Sequence, residues 1–166
     1  AGHFTILGRW LMNNERDAKA NGEAIALFEK AINIDPTNFE ALGHYARATA
    51  DHILNGWAPK QERAERIAKA EAAIKLAIKL EPDSAGAHLT HGGVLRARGD
   101  HEQAIAAFKQ ALLHNPNFAN AHAELGRTMI DVGQSKEAID QIKKAIALSP
   151  TDFALYNWYY FAGLAA

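Results

Sequence analysis

The sequence predicts an all-α chain, an α-solenoid in which antiparallel helix pairs are stacked one after another. Three observations carry that prediction. Pro82, Pro116 and Pro150 lie 34 residues apart, and they punctuate three similar phrases, AIKLAIKLEPDSAGAH, AFKQALLHNPNFANAH and QIKKAIALSPTDFALY. A fixed period of this length marks a repeat array, whose units bury their apolar faces only by stacking on one another. Aligning the prolines places Gly92 over Gly126, Ala104 over Ala138, Ala111 over Ala145 and Phe108 over Ile142, so small residues recur where two helices approach closely. Finally, Gly99-Asp100 and Gly133-Gln134 interrupt the helical pattern, because glycine relieves the steric cost of the turn at a helix end. Each unit therefore reads as a helical hairpin.

These small residues and prolines resemble the tetratricopeptide repeat, a helix-turn-helix unit with small residues at its positions 8, 20 and 27 and proline at 32. The resemblance covers essentially all of residues 1–166 as a single domain and implies a right-handed superhelix. It divides the chain into units at about 5–38, 39–84, 85–118 and 119–152, with a partial unit at 153–166. In the first unit Ala24, Phe28 and Ala31 fit, Asn21-Gly22 is read as the turn, and Met12 stands where a small residue is expected. The second is longer: Pro36 and Pro82 are 46 residues apart, which leaves a 12-residue insertion near 52–63. Asn55-Gly56 and Pro59 place a turn there, with the flanking helices lengthened into a spur that has Trp57 at its tip. The third and fourth units are the most regular. Their prolines lie just past the second helices, where the missing N–H and the ring clash stop propagation. Asp83-Ser84 and Thr151-Asp152 then supply capping acceptors for the helices that follow. The partial unit is densely aromatic from Phe153 to Phe161 and ends without a covering helix.

Composition narrows the function classes. The chain is 48% hydrophobic, enough for a buried interior, and its formal charge of -1 gives a polyanion such as DNA or RNA no reason to accumulate. It has no cysteine, so thiolate metal sites and cysteine nucleophiles are absent, with a mild lean to a cytoplasmic location. No stretch reaches the roughly 18–20 apolar residues of a membrane-spanning helix, so no membrane partner is expected. The opening Ala-Gly-His reads as an expression scar and the chain as an excised piece.

Stacked hairpins that rotate slightly from one to the next create an extended concave surface lined by their first helices. The resemblance implies that positions 2, 5, 6, 9, 12 and 13 of each first helix face it. These select Arg9, Asn13, Arg16, His44, Arg47, Asp51, Arg96, Asn120, Glu124, Arg127, Asp131, Asn157 and Trp158. Arg47 and Arg127 share a repeat position and Arg96 lies near that row, so guanidinium groups are placed to fork onto carboxylates of an extended segment. The competing reading pairs these arginines with Asp51, Glu124 and Asp131 as an ordinary solvated surface. Either way the expected partner is a protein or peptide. The carboxylate clamp by which some family members hold heat-shock chaperone tails is missing, since Gly86 and Thr90 stand where basic residues are needed.

Catalytic residues, cofactors and metals are not expected. There is no Gly-rich phosphate loop, nucleophile elbow or cysteine nucleophile. His88 and His91 share a helical face and His122 lies one repeat on, but these are packing positions without the third or fourth ligand that zinc requires. The Asn55-Gly56-Trp57 insertion resembles the repeat regions that follow class III nucleotide cyclase domains and winged-helix regulators in bacteria. That resemblance implies a signalling role in a larger bacterial protein. Three alternatives to partner recruitment follow: an autoinhibitory arm of a nucleotide cyclase, an oligomerisation module that dimerises through the C-terminal aromatic helix, and substrate-presenting repeats of a glycosyltransferase. Against the last, Asn13, Asn120 and Asn157 do not recur at one repeat position.

Overall fold

The computed structural model describes residues 1–150 together with Tyr160 and Gly163. Within residues 1–150 the regular elements are eight α-helices and a short 3-10 turn: α1 (Gly2–Asn14), α2 (Ala18–Ile34), α3 (Phe39–Leu54), the turn Lys60–Glu62, α4 (Arg63–Leu80), α5 (Ala85–Arg98), α6 (His101–His114), α7 (Ala119–Asp131) and α8 (Ser135–Leu148). The chain divides into two compact units, Ala1–Asp83 and Ser84–Ala166. The first contains the hairpins α1/α2 and α3/α4, with α2 packed on α3; the second contains α5/α6 and α7/α8, with α6 packed on α7.

Local chemistry sets the ends of these helices. Asp17, Asn38, Ser84 and Asp100 accept hydrogen bonds from the backbone N–H groups of Ala20, Ala41, Ala87 and Gln103, satisfying donors that a helix start leaves without intrahelical partners. Gly99 and Gly133 close α5 and α7 in the left-handed region, at φ 89° and 79°, as the sequence predicted for both turns. Pro36, Pro82, Pro116 and Pro150 each follow a second helix by two residues.

The hairpins close on small residues. A side chain at Gly92 or Gly126 would collide with Phe108 or Ile142, both fully buried. In the second unit the core joins Leu95, Ala104, Phe108, Leu125, Met129 and Ala138, with Ile142 and Ala145 forming its neighbour. The first unit buries Ala24, Phe28, Ala31, Leu42, Tyr45, Ala46, Ile74 and Ala77 in the same manner.

Three expectations in the first unit give way to a different arrangement. Asn21-Gly22 is not a turn: both residues lie inside α2, and the chain turns at residues 15–17. The buried Asn21 side chain instead meets the His52 ring, Oδ1 to Nδ1 2.8 Å, so a tertiary partner compensates for a poor helix former. The close approach falls at Gly8, where a Cβ would lie 2.7 Å from the Phe28 ring, not at Met12. At the insertion, α3 and α4 are indeed long, at 16 and 18 residues. The loop folds back, however, with Trp57 N–H and Ala58 N–H both donating to the His52 carbonyl at 3.0 and 3.2 Å. Trp57 is thus half-buried, its ring edge-on to His52 at 5.8 Å, and is not a free tip.

Candidate functional site: the first-helix faces

In the first unit, α1 carries Arg9 and Asn13, while α3 carries His44, Arg47 and Asp51 at i, i+3 and i+7, a spacing that aligns them on one stripe. Arg9 and Arg47 are open to solvent, with side chains 46% and 63% exposed. Their partners hold them loosely: Arg9 Nη1 to Glu40 Oε2 is 3.4 Å and Arg47 Nε to Asp51 Oδ2 is 3.8 Å. Exposed pairs of this kind contribute at most about 1 kcal/mol, and most of each guanidinium's donor fork stays available.

His44 stands among them. Its half-buried ring stacks on Phe28, with centroids 5.5 Å apart and planes 19° from parallel, while Gly8 packs against the same phenyl ring. Burial, then the charge of Arg9 and that of Arg47, hold its pKa below the usual histidine value; Glu40 opposes them. Arg16 lies in the connection between α1 and α2, past the helix end at Asn14.

The second unit treats its charges differently. Arg96 on α5 is only 8% exposed and forms a 2.5 Å ion pair, Nη1 to Glu124 Oε2, with α7. The contact is close, but its angles do not make a hydrogen bond, and Arg96 Nε is buried without an acceptor. Arg96 therefore works as an internal strut between two first helices. Asp131 lies 3.8 Å from His101 Nδ1, and Arg98 reaches Asp100 at 3.0 Å. Arg127 is half-buried and Asn120 exposed. Asn157, Trp158 and the aromatic helix expected around them lie outside the described residues.

The histidines of the second unit have packing partners. His122 is buried, and its Nε2 donates to the Pro116 carbonyl at 2.9 Å, since that oxygen can only accept; Nδ1 meets the Gln141 side chain at 2.7 Å. His88 stacks on His114 with centroids 5.1 Å apart. Among the described residues, no three His, Asp or Glu side chains come together as a metal site, and no helix is long and apolar enough to cross a membrane.

Sequence reasoning named Arg9, His44 and Arg47 on the first helices of this unit but missed Glu40 and the Phe28–His44 stack. Both had a signal: Glu40 lies one turn before His44, and Phe28 occupies in α2 the place that Phe108 occupies in α6.

Comparison with known proteins agrees with this architecture. Two family models, each described as tetratricopeptide repeat, match residues 55–112 and 95–157. No curated protein sequence matches significantly. Among solved structures, a thermophilic TPR protein of Thermus thermophilus is 22% identical with a TM-score of 0.76, over 97% of this chain and 89% of its own. YrrB, described as a TPR protein with an unusual peptide-binding site, is 17% identical with a TM-score of 0.59, over 98% of this chain and 74% of its own. A human IFIT1 dimer with m7Gppp-AAAA reaches a TM-score of 0.77 at 22% identity, over 95% of this chain and 33% of the other. At these identities the likeness is one of fold.

Proposed function

Because the chain belongs to the tetratricopeptide-repeat family, we propose that it is a partner-recruiting module of a larger bacterial, cytoplasmic protein, binding an extended acidic segment on its first-helix faces. The observation that carries this reading is the pair of exposed, loosely held guanidinium groups, Arg9 and Arg47, facing the same stripe of the first unit. Such groups lose little on exchanging a weak intramolecular partner for a bidentate carboxylate. Binding of a peptide by YrrB, a protein of the same fold, is consistent with it. The m7Gppp-AAAA found with human IFIT1 suggests another ligand class; a short carboxylate segment is preferred because its recognition needs only the local pair of exposed guanidinium groups and no long-range field. No chemistry of its own is assigned to the module.

The test is capture from a lysate of the source organism, with the chain as bait beside its Arg9→Glu/Arg47→Glu variant and identification by mass spectrometry. A partner captured by the parent chain and lost with the variant, at unchanged helicity, supports the reading. Equal capture by both forms rejects it.

A further inference from the structure

We infer that the α1/α3 face of the first unit is a pH-gated carboxylate site, in which Arg9 and Arg47 hold the anion and His44 adds a third positive charge, and its second N–H, only when protonated. This rests on the proposed peptide-binding role and specifies its ligand chemistry and its regulation.

The geometry supplies three requirements of such a site. The first is a fixed platform. His44 is held flat against Phe28, which is fully buried and is itself backed by Gly8, so its ring has a defined place and does not sweep through solvent. The second is converging positive charge. Arg9 reaches the site from α1 and Arg47 lies one turn beyond His44 on α3. The third is vacancy in the donor set: among the described residues His44 makes no hydrogen bond through either ring nitrogen, while Arg9 has a single 3.4 Å contact with Glu40.

The charges that face His44 come from both packed elements: Arg9 on α1, and Glu40 and Arg47 on α3, while α2 presents the uncharged Phe28 ring. In the free protein, burial and the two arginines keep the imidazole neutral further into acid than an exposed histidine, against the weaker pull of Glu40. A carboxylate placed between the guanidinium groups reverses that field, so ligand binding raises the pKa of His44. By linkage, protonation then strengthens ligand binding by the same factor. The added affinity is fully present below the pKa of the free protein and is lost as the pH rises through the pKa of the complex. Histidine is the side chain suited to this, because small environmental changes move its titration across the range from pH 5 to 8.

The experiment uses the whole 166-residue chain and a synthetic tetraglutamate peptide as probe. Peptide affinity and the His44 imidazole resonance are followed by NMR between pH 5.5 and 7.5, where the glutamates stay ionised. The expected result is binding roughly fivefold tighter at pH 5.5 than at 7.5, with the His44 titration moved to higher pH by the peptide. His44→Gln should keep binding and abolish its pH dependence, and Arg9→Gln/Arg47→Gln should abolish binding. Binding that is equally strong at both pH values, yet sensitive to the arginine variant, overturns the His44 gate and leaves the peptide-binding role standing. Binding indifferent to the arginine variant, or no binding at either pH, overturns the carboxylate site itself.

Discussion

The two units are built from the same hairpin but place their first-helix charges in opposite states. In Ala1–Asp83, Arg9 and Arg47 stand in solvent with partners at 3.4 and 3.8 Å; in Ser84–Ala166, Arg96 is buried and locked to Glu124. A charge left in water costs little and stays ready for a ligand. A charge taken inside must be paired, and the pair then serves the scaffold. One repeat architecture therefore yields an open face and a braced face, and the local burial of a guanidinium decides which.

The scaffold itself should respond alike in both units, and the largest expected effects test that. Phe28 and Phe108 are both fully buried against a glycine. Phe28→Ala and Phe108→Ala should each cost about 3–5 kcal/mol in urea unfolding, the sum of lost transfer energy and an unfilled cavity. Only Phe28→Ala should also shift the His44 resonance, because only Phe28 lies beneath that ring. A much smaller loss at Phe28 would mean that the first unit is the looser of the two.

Next in size is the braced pair. Glu124→Gln leaves Arg96 buried opposite a neutral amide. Breaking a buried pair costs about 3–5 kcal/mol, and the partial exposure of Glu124 lowers the expectation to about 2 kcal/mol. The double variant Arg96→Met/Glu124→Leu should be more stable than Glu124→Gln alone, since it removes both charges. If Glu124→Gln proves neutral, Arg96 finds water and the contrast between the two faces collapses.

How much of this could be read from the sequence follows the same division. The prolines, the turns at Gly99 and Gly133 and the close approaches at Gly92 and Gly126 were legible because each has a counterpart one period away. The first hairpin was misread where its cues departed from the period: Asn21-Gly22 looks like a turn, and only His52, 31 residues on, explains why it is helical. That first helices carry arginines was legible. Which of these are exposed and which buried was not, because Arg96 is buried by the meeting of α5 with α7, and no pattern local to α5 records that.

Acid should weaken the first unit through His52. Burial, followed by the charge of Arg66, lowers its pKa below the unfolded value of 6.5, with Glu62 opposing. A histidine kept neutral by folding contributes stability that is fully present above pH 6.5 and is lost as the pH falls through its folded pKa, because the unfolded chain takes up the proton first. Melting temperatures measured from pH 7.5 down to 5.5 should therefore fall more steeply for the parent chain than for His52→Gln. Parallel curves would show that His52 keeps its proton affinity on folding, and that the contact with Asn21 contributes no pH dependence.

The smallest stability effect belongs to the open face, and it carries the sharpest functional consequence. Asp51→Asn removes the 3.8 Å partner of Arg47, both side chains being substantially exposed. Unfolding should change by no more than about 0.5 kcal/mol, the scale of an i, i+4 pair on a helix surface. Tetraglutamate affinity should rise, because Asp51 competes with the ligand for the same guanidinium and adds a like charge beside it. Against the roughly 2 kcal/mol expected for Glu124→Gln, a variant that is nearly silent in stability and stronger in binding would place ligand capture on the exposed arginines. Weaker binding in Asp51→Asn would instead mean that Asp51 holds Arg47 in its binding geometry, and that the open face is pre-organised by its own ion pairs.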